Sequence, residues 1–353
     1  MIYVFNIITI IMYYIAIKHI KGVNKKHTFL LLCMFQMTLI VGLRYNVGAD
    51  YKSYYRIFEL IESGQAHLTN VELGYKLLNE VLCYLGGTYY TVNIVIAALT
   101  FLFIILAIDR LSVDYFYSVY LYITLFFFYH AMNQTRQQLA IAIEMYAISY
   151  IEKKQLRYFV LWTIIASLFH TSVIVFLVMY FLKNISISKK TLILYLGVTA
   201  GLLGMMEVLI RIIRTTRYGL YFSMSYGTEA GKGIIINTIV RAILLTLVLW
   251  RCKYIENTYK KNSLYHMALI CMLFQILTMR ISLFGRLTTS FFVSYIFLIP
   301  EIIRTIPLKY RKMVWQLGIL CGGIYNYVYY YYMNANVLVN SYQSIWNMKS
   351  GKM

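Results

Sequence analysis

YFVLWTIIASLFHTSVIVFLVMYFL, residues 158–182, is an uncharged stretch set between Lys153 and Lys154 on one side and Lys183, Lys189 and Lys190 on the other. A helix rises about 1.5 Å per residue, so a stretch of this length crosses a bilayer and puts its two basic flanks on opposite sides. Short connectors dense in Lys and Arg stay cytoplasmic, which asks for both flanks on the same side. The conflict resolves if the chain breaks near Phe169-His170-Thr171-Ser172 into two half-helices that dip in and return. Non-helical backbone at membrane depth is tolerated where protein or a watery cavity satisfies it. A single tilted helix carrying a polar patch is the other solution.

Working outward, apolar runs recur near 2–17, 28–43, 91–108, 115–132, 137–151, 191–210, 234–250, 264–279, 287–303 and 313–332. With 61% hydrophobic and 13% charged residues, the chain is too apolar for a soluble domain, where apolar usage is roughly 45–50%. The reading is an all-α, polytopic integral membrane protein of about ten spans plus the irregular segment, forming one transmembrane domain over 1–353. No small-residue cleavage site follows the first run and its basic residues come after it, so it stays as a helix rather than a signal peptide. Cys33, Cys83, Cys252, Cys271 and Cys321 are scattered, without metal-binding or redox spacing.

The connectors 18–27, 152–157, 183–190, 251–263 and 304–312 are rich in lysine, which makes them cytoplasmic and puts the N-terminus outside. The outer parts are then 44–90, 133–136, 211–233, 280–286 and the tail from 333. Within 44–90, the stretch from Val71 to Asn79 is amphipathic and fit to lie on the interface. The glycines of 211–233 suggest a mobile outer loop over a bound substrate.

Positive charge alone fixes topology, and lysine supplies it inside. Arg44, Arg56, Arg136, Arg211, Arg214, Arg217, Arg241, Arg280 and Arg286 fall outside or in the outer halves of spans. A planar guanidinium grips phosphate or carboxylate in two places, so an anionic ligand at the outer face is expected. Arg44, Arg136, Arg214, Arg217, Arg280 and Arg286 are candidates to bind it. Snorkelling to the interface is the alternative for Arg44 or Arg136 alone. Glu207 and Arg211 have the spacing of a helix-face pair, and Glu144 is expected to balance one of the arginines.

Asp50 follows Arg44 after Gly48 and is read as a base, a partner for a hydroxyl, or a salt bridge holding Arg44. His170 sits at the apex of the broken run, where a neutral imidazole could deprotonate a hydroxyl or simply hydrogen-bond within the fold. Glu72 opens the amphipathic stretch. Asp50, Glu72 and His170 compete for the role of catalytic base. No Asp/Glu-rich metal spacing is present, so the expectation is no metal and no cofactor.

The segments RYNVGADYKSYY (44–55), ELGYKLLN (72–79), NQTRQQLAIAI (133–143) and LFHTS (168–172), with the late span at Arg286 and a Tyr-containing tail, resemble in this order the EpsG family of Wzy-like polysaccharide polymerases. The tail around Tyr342 lacks the Pro-Tyr associated with that region of the family.

The resemblance implies a GT-C-like glycosyltransferase fold in a bacterial cytoplasmic membrane, with its site facing outward. It implies an enzyme that joins polyprenyl-diphosphate-linked oligosaccharide repeat units by inverting transfer to a sugar hydroxyl, in exopolysaccharide, capsule or O-antigen synthesis. Arg44, Tyr45, Tyr51, Arg136 and Gln137 would meet the substrate alongside the other arginines. Partners would be the lipid-linked glycan, the bilayer and other polysaccharide assembly proteins, with no nucleic acid. A ligase with a different acceptor, a flippase of lipid-linked glycans, and an acyltransferase using His170 are the rivals.

Overall fold

The computed structural model describes residues 2–215, 232–254, 259–332 and 342–347, and these are mostly helical, with no strand among them. By contacts the chain divides into two units, residues 1–177 with 309–353, and residues 178–308. The first unit contains α1 (Ile2–His19), α2 (Lys25–Gly42), α3 (Tyr51–Glu62), α4 (Leu73–Tyr84), α5 (Tyr89–Leu111), α6 (Tyr115–Thr124), α7 (Phe127–Asn133), α8 (Thr135–Glu152) and α9 (Leu156–Ser167). The second contains α10 (Val178–Leu182), α11 (Lys189–Gly204), α12 (Met206–Arg214), α13 (Lys232–Arg251), α14 (Tyr259–Thr278), α15 (Phe284–Phe292) and α16 (Tyr295–Arg304), after which α17 (Leu308–Tyr332) rejoins the first.

Short polar side chains start several of these helices by taking up N–H groups that have no partner within the helix. Asn24 accepts from His27 N at 3.2 Å, Asp114 from Tyr117 N at 3.0 Å and Ser188 from Thr191 N at 3.2 Å. In the first unit α5 lies between α2 and α8. Its buried residues Val92, Ile96, Thr100, Ile104, Ala107 and Leu111 recur at helical spacing along one face. In the second unit α14 packs against α13, α15 and α16.

Ile2–His19, Tyr89–Leu111, Gly233–Tyr254 and Phe284–Arg304 are long and apolar enough to cross a bilayer. α11 and α12 together pass the same test as a pair bent by 63° at Met205. Other apolar runs are divided. The run 115–132 is two helices, α6 and α7, separated at Phe126, whose φ of 76° is left-handed. Its ring stacks on Tyr129 with centroids 4.4 Å apart and meets Tyr329 edge-on at 4.5 Å.

The run 158–182 is also broken where its polar cluster stands. α9 ends at Ser167, residues Thr171–Leu177 form a 3₁₀ turn and α10 comes next. The local cause is a competing donor: the Leu168 carbonyl accepts the N–H of Gly74, from α4, at 2.8 Å rather than continuing its own helix ladder.

Two expected pairings of charge do not form among the described residues. Glu207 and Arg211 share α12 yet make no ion pair, and both are exposed, where such a pair is worth little. Glu144 is fully buried in α8 and faces a hydroxyl instead of an arginine, its Oε1 accepting from Thr163 Oγ1 at 3.2 Å while Oε2 has no partner. Neighbouring α9 presents Thr163, and no basic side chain, to that carboxyl.

Candidate functional site

The segment after α2 doubles back over the junction of α7 and α8. Asn46 and Gly48 both have positive φ, 52° and 102°. At Gly48 only glycine suits the conformation and the space alike, because a β-carbon would run into the Met132 carbonyl. Next to it, Asp50 N donates to Asn133 Oδ1 at 2.9 Å. The loop is thereby anchored one turn before Arg136.

Arg44 lies under this loop, completely buried. Nη1 donates to the Val41 carbonyl at 2.6 Å and Nη2 to Thr135 Oγ1 at 3.2 Å, whereas Nε has no partner. The salt bridge to Asp50 considered from the sequence is absent, since the turn at Gly48 carries Asp50 toward Asn133 instead. Arg44 has no ion-pair partner among the described residues. It is fixed to the first residue of α8 and sits within electrostatic reach of Tyr3, Tyr51, Tyr89 and Tyr342.

The tail closes over the same place. Arg44 and Ser344 form an isolated antiparallel bridge, Tyr45 N donates to the Gln343 carbonyl at 2.8 Å and Ile345 N to the Leu43 carbonyl at 3.0 Å. Nothing in the local sequence announces this pairing.

Three of the short motifs converge beside the loop. Glu72 precedes α4 but does not cap it; its Oε2 accepts from Nη1 of Arg136, at the start of α8. Its other oxygen, Oε1, stands 3.4 Å from Nδ1 of His170, in the break after α9. Glu72 and His170 are buried, while the Arg136 side chain keeps 22% of its surface exposed. Its guanidinium carbon lies 5.6 Å from the ring centroids of both Tyr54 and Tyr75, within cation–π range.

Burial works against ionisation of Glu72, but the imidazole of His170 and the charge of Arg136 outweigh it and hold this carboxyl down at about 2. The pair is therefore carboxylate and guanidinium at neutral pH. On Arg136, Nε is buried without a hydrogen-bond partner, and the Tyr54 side chain also bears on the guanidinium.

Gly74 sets the spacing. A β-carbon there would meet the Leu168 carbonyl oxygen and Cβ at 2.8 Å, closer than packed atoms approach. The missing side chain lets α4 press on the end of α9 and delivers Glu72 to His170. Gly74, Tyr54, Tyr75 and Thr135 carry no mark in the sequence that sets them apart as site residues, with one exception. A glycine inside the amphipathic pattern is a usable signal, because it often marks a close approach.

The other candidates are more scattered. Asp50 is half-buried at the start of α3, close enough to Tyr54 to affect its charge. Tyr45 is half-buried and meets the buried Tyr51 edge-on at 6.3 Å, and Gln137 is buried in the first turn of α8. Arg214 ends α12 and is exposed; Arg217 lies outside the described residues, as does most of the 211–233 loop. In the second unit Arg280 is exposed after α14 and Arg286 half-buried in the first turn of α15. Between them Ile281 is buried against Met206, Leu273 and Leu277.

No curated protein and no solved structure matches this chain. A family profile described as EpsG family matches residues 27–347, a range that takes in the Arg44 loop, Glu72, Arg136, His170 and most of the docked tail. The chain belongs to the EpsG family, and this membership gives it a polysaccharide-polymerase-like function in a membrane.

Proposed function

We propose that this protein joins polyprenyl-diphosphate-linked oligosaccharide repeat units at the outer face of a bacterial cytoplasmic membrane, by inverting transfer to a sugar hydroxyl. The observation that carries this reading is the meeting of Arg136, Glu72 and His170, brought from three separated segments into one buried group.

Glu72, ionised beneath Arg136, is placed to accept a hydrogen bond from Nδ1–H of His170 as the two draw together, which leaves Nε2 with its lone pair as the base. The 3.4 Å separation is long for a hydrogen bond, and such contacts tighten when substrate binds. The acceptor hydroxyl attacks the anomeric carbon from the face opposite the diphosphate. The new glycosidic bond forms as the carbon–oxygen bond to diphosphate breaks, the hydroxyl proton passes to Nε2, and polyprenyl diphosphate departs with the electron pair. Arg136, through the part of its side chain that stays exposed, offers its charge to the charge that develops on that leaving group. Arg44, tied to Thr135, holds the first turn of α8 in place.

α4 supports the membrane setting. Its buried face carries Tyr75 and Asn79, while Leu73, Leu77, Val81 and Tyr84 are exposed along the opposite stripe. An apolar stripe of that kind lies in the headgroup boundary and would keep Glu72 level with the diphosphates of lipid-linked substrates.

The test is ladder formation by purified protein supplied with one defined lipid-linked repeat unit and nothing else. A ladder is expected; its absence with intact, folded protein overturns the reading in favour of transport. In the same assay Arg136→Lys should leave protein abundance near normal and reduce polymer by about tenfold or more, since a point charge replaces a planar fork poorly. Gly74→Ala should insert normally but polymerise on the order of 100-fold less, the scale expected when catalytic groups are displaced by about 1 Å. Normal ladders from Gly74→Ala would show that the contact with Leu168 does not set the geometry of the site.

A further inference from the structure

The second unit contains a cavity of about 290 Å³ between α10, α11 and α14, lined by Leu182, Ile185, Leu194, Val198, Tyr195 and His266, with Thr191 and Lys190. Nearly all of the polar groups on its wall are already engaged. His266 is fully buried, with Nε2 2.9 Å from the Ile185 carbonyl and Nδ1 2.9 Å from the Tyr195 hydroxyl. One neutral tautomer satisfies both contacts, Nε2–H donating and Nδ1 accepting. The Thr191 hydroxyl donates to the Ser186 carbonyl at 3.0 Å. What remains for a guest is an apolar slot with one charged group at its side. Lys190 is exposed and has no partner among the described residues.

Two further observations define the guest. Ile193, Leu194, Leu196 and Val198 are exposed on α11, a helix of the bent pair that is apolar enough to enter the membrane, so the slot opens toward hydrocarbon. The sequence contains no Asp or Glu from residue 153 to residue 206, so no carboxylate on this segment offsets Lys183, Lys189 and Lys190. An acyl chain suits the slot and a negatively charged headgroup suits Lys190, because a basic side chain near the surface draws anionic lipid.

We propose that this cavity binds one anionic phospholipid, with an acyl chain between Leu194 and His266 and its headgroup phosphate on Lys190. This site lies wholly in the second unit and is independent of the polymerase reading. The purified full-length protein would be titrated in detergent with dioleoylphosphatidylglycerol or dioleoylphosphatidylcholine and the bound states counted by native mass spectrometry. Phosphatidylglycerol should bind about fivefold more tightly, the equivalent of about 1 kcal/mol for one basic residue. Lys190→Gln should abolish that preference while leaving phosphatidylcholine binding unchanged, and Leu194→Trp, at an exposed position, should weaken both by filling the slot. Equal binding of the two lipids to the unaltered protein, a preference that survives Lys190→Gln, or full-strength binding to Leu194→Trp would overturn the proposal and leave only non-selective annular contact.

Discussion

Glu72→Gln is expected to cost roughly 3 kcal/mol of stability, the lower end of the penalty for removing one partner of a buried ion pair, and to abolish polymer formation. The lower end applies because an edge of Arg136 reaches solvent and can be partly hydrated there. Replacing both partners, as Glu72→Gln with Arg136→Met, should recover most of the stability without recovering activity, since the cost arises from a stranded charge and the chemistry from the charges themselves. Thermal unfolding in detergent beside the ladder assay measures the two effects separately. If the single variant is as stable as the unaltered protein, Arg136 does not depend on Glu72 for its charge.

The same carboxylate gives an acid response whose sign can be fixed in advance. Glu72 is held at about 2 against an ordinary 4.5, and a group depressed in the folded state stabilises it fully above the ordinary value. That contribution is lost as pH falls from about 4.5 toward 2. Unfolding midpoints should drop across this window in the unaltered protein and less steeply in Glu72→Gln.

His170→Gln carries the second large effect. General base catalysis is worth roughly 100-fold to 10,000-fold, so turnover should fall by at least the lower figure while the lipid-linked donor still binds. A merely structural histidine would lower protein abundance instead. Normal turnover in His170→Gln beside an inactive Asp50→Asn would move the role to Asp50 and leave His170 as the hinge of the break.

The sequence was most informative where local chemistry conflicted with its surroundings. Arg44, Arg136 and His170 are costly at the ends or middles of apolar runs, and each stood out for that reason, whereas Glu72 stood out for opening the amphipathic stretch. Two candidates for the same role, Glu72 and His170, prove to be neighbours. Their relation was illegible because it depends on Gly74 meeting the backbone of Leu168, a contact between segments with no shared periodicity. The same limit hid the partners of Arg44 and Glu144. Charge complementarity pointed to Asp50 for one and to an arginine for the other, whereas packing supplied Thr135 and Thr163. The break in 158–182 was legible because two basic flanks imposed it, but the left-handed Phe126 had no such signature.

The bridge between Arg44 and Ser344 carries a rule of parity. Two backbone segments that exchange hydrogen bonds lie on one face of the bilayer, so the chain between them must cross an even number of times. If the runs 91–108, 115–132, 137–151, 191–210, 234–250, 264–279, 287–303 and 313–332 each cross once, the chain has already returned to its starting face. One more crossing by 158–182 would carry the tail to the far side and make the bridge unattainable. A few hydrogen bonds at residues 43–45 thus act as a checksum on the insertion of everything between them, rejecting any chain in which an odd number of the intervening segments cross.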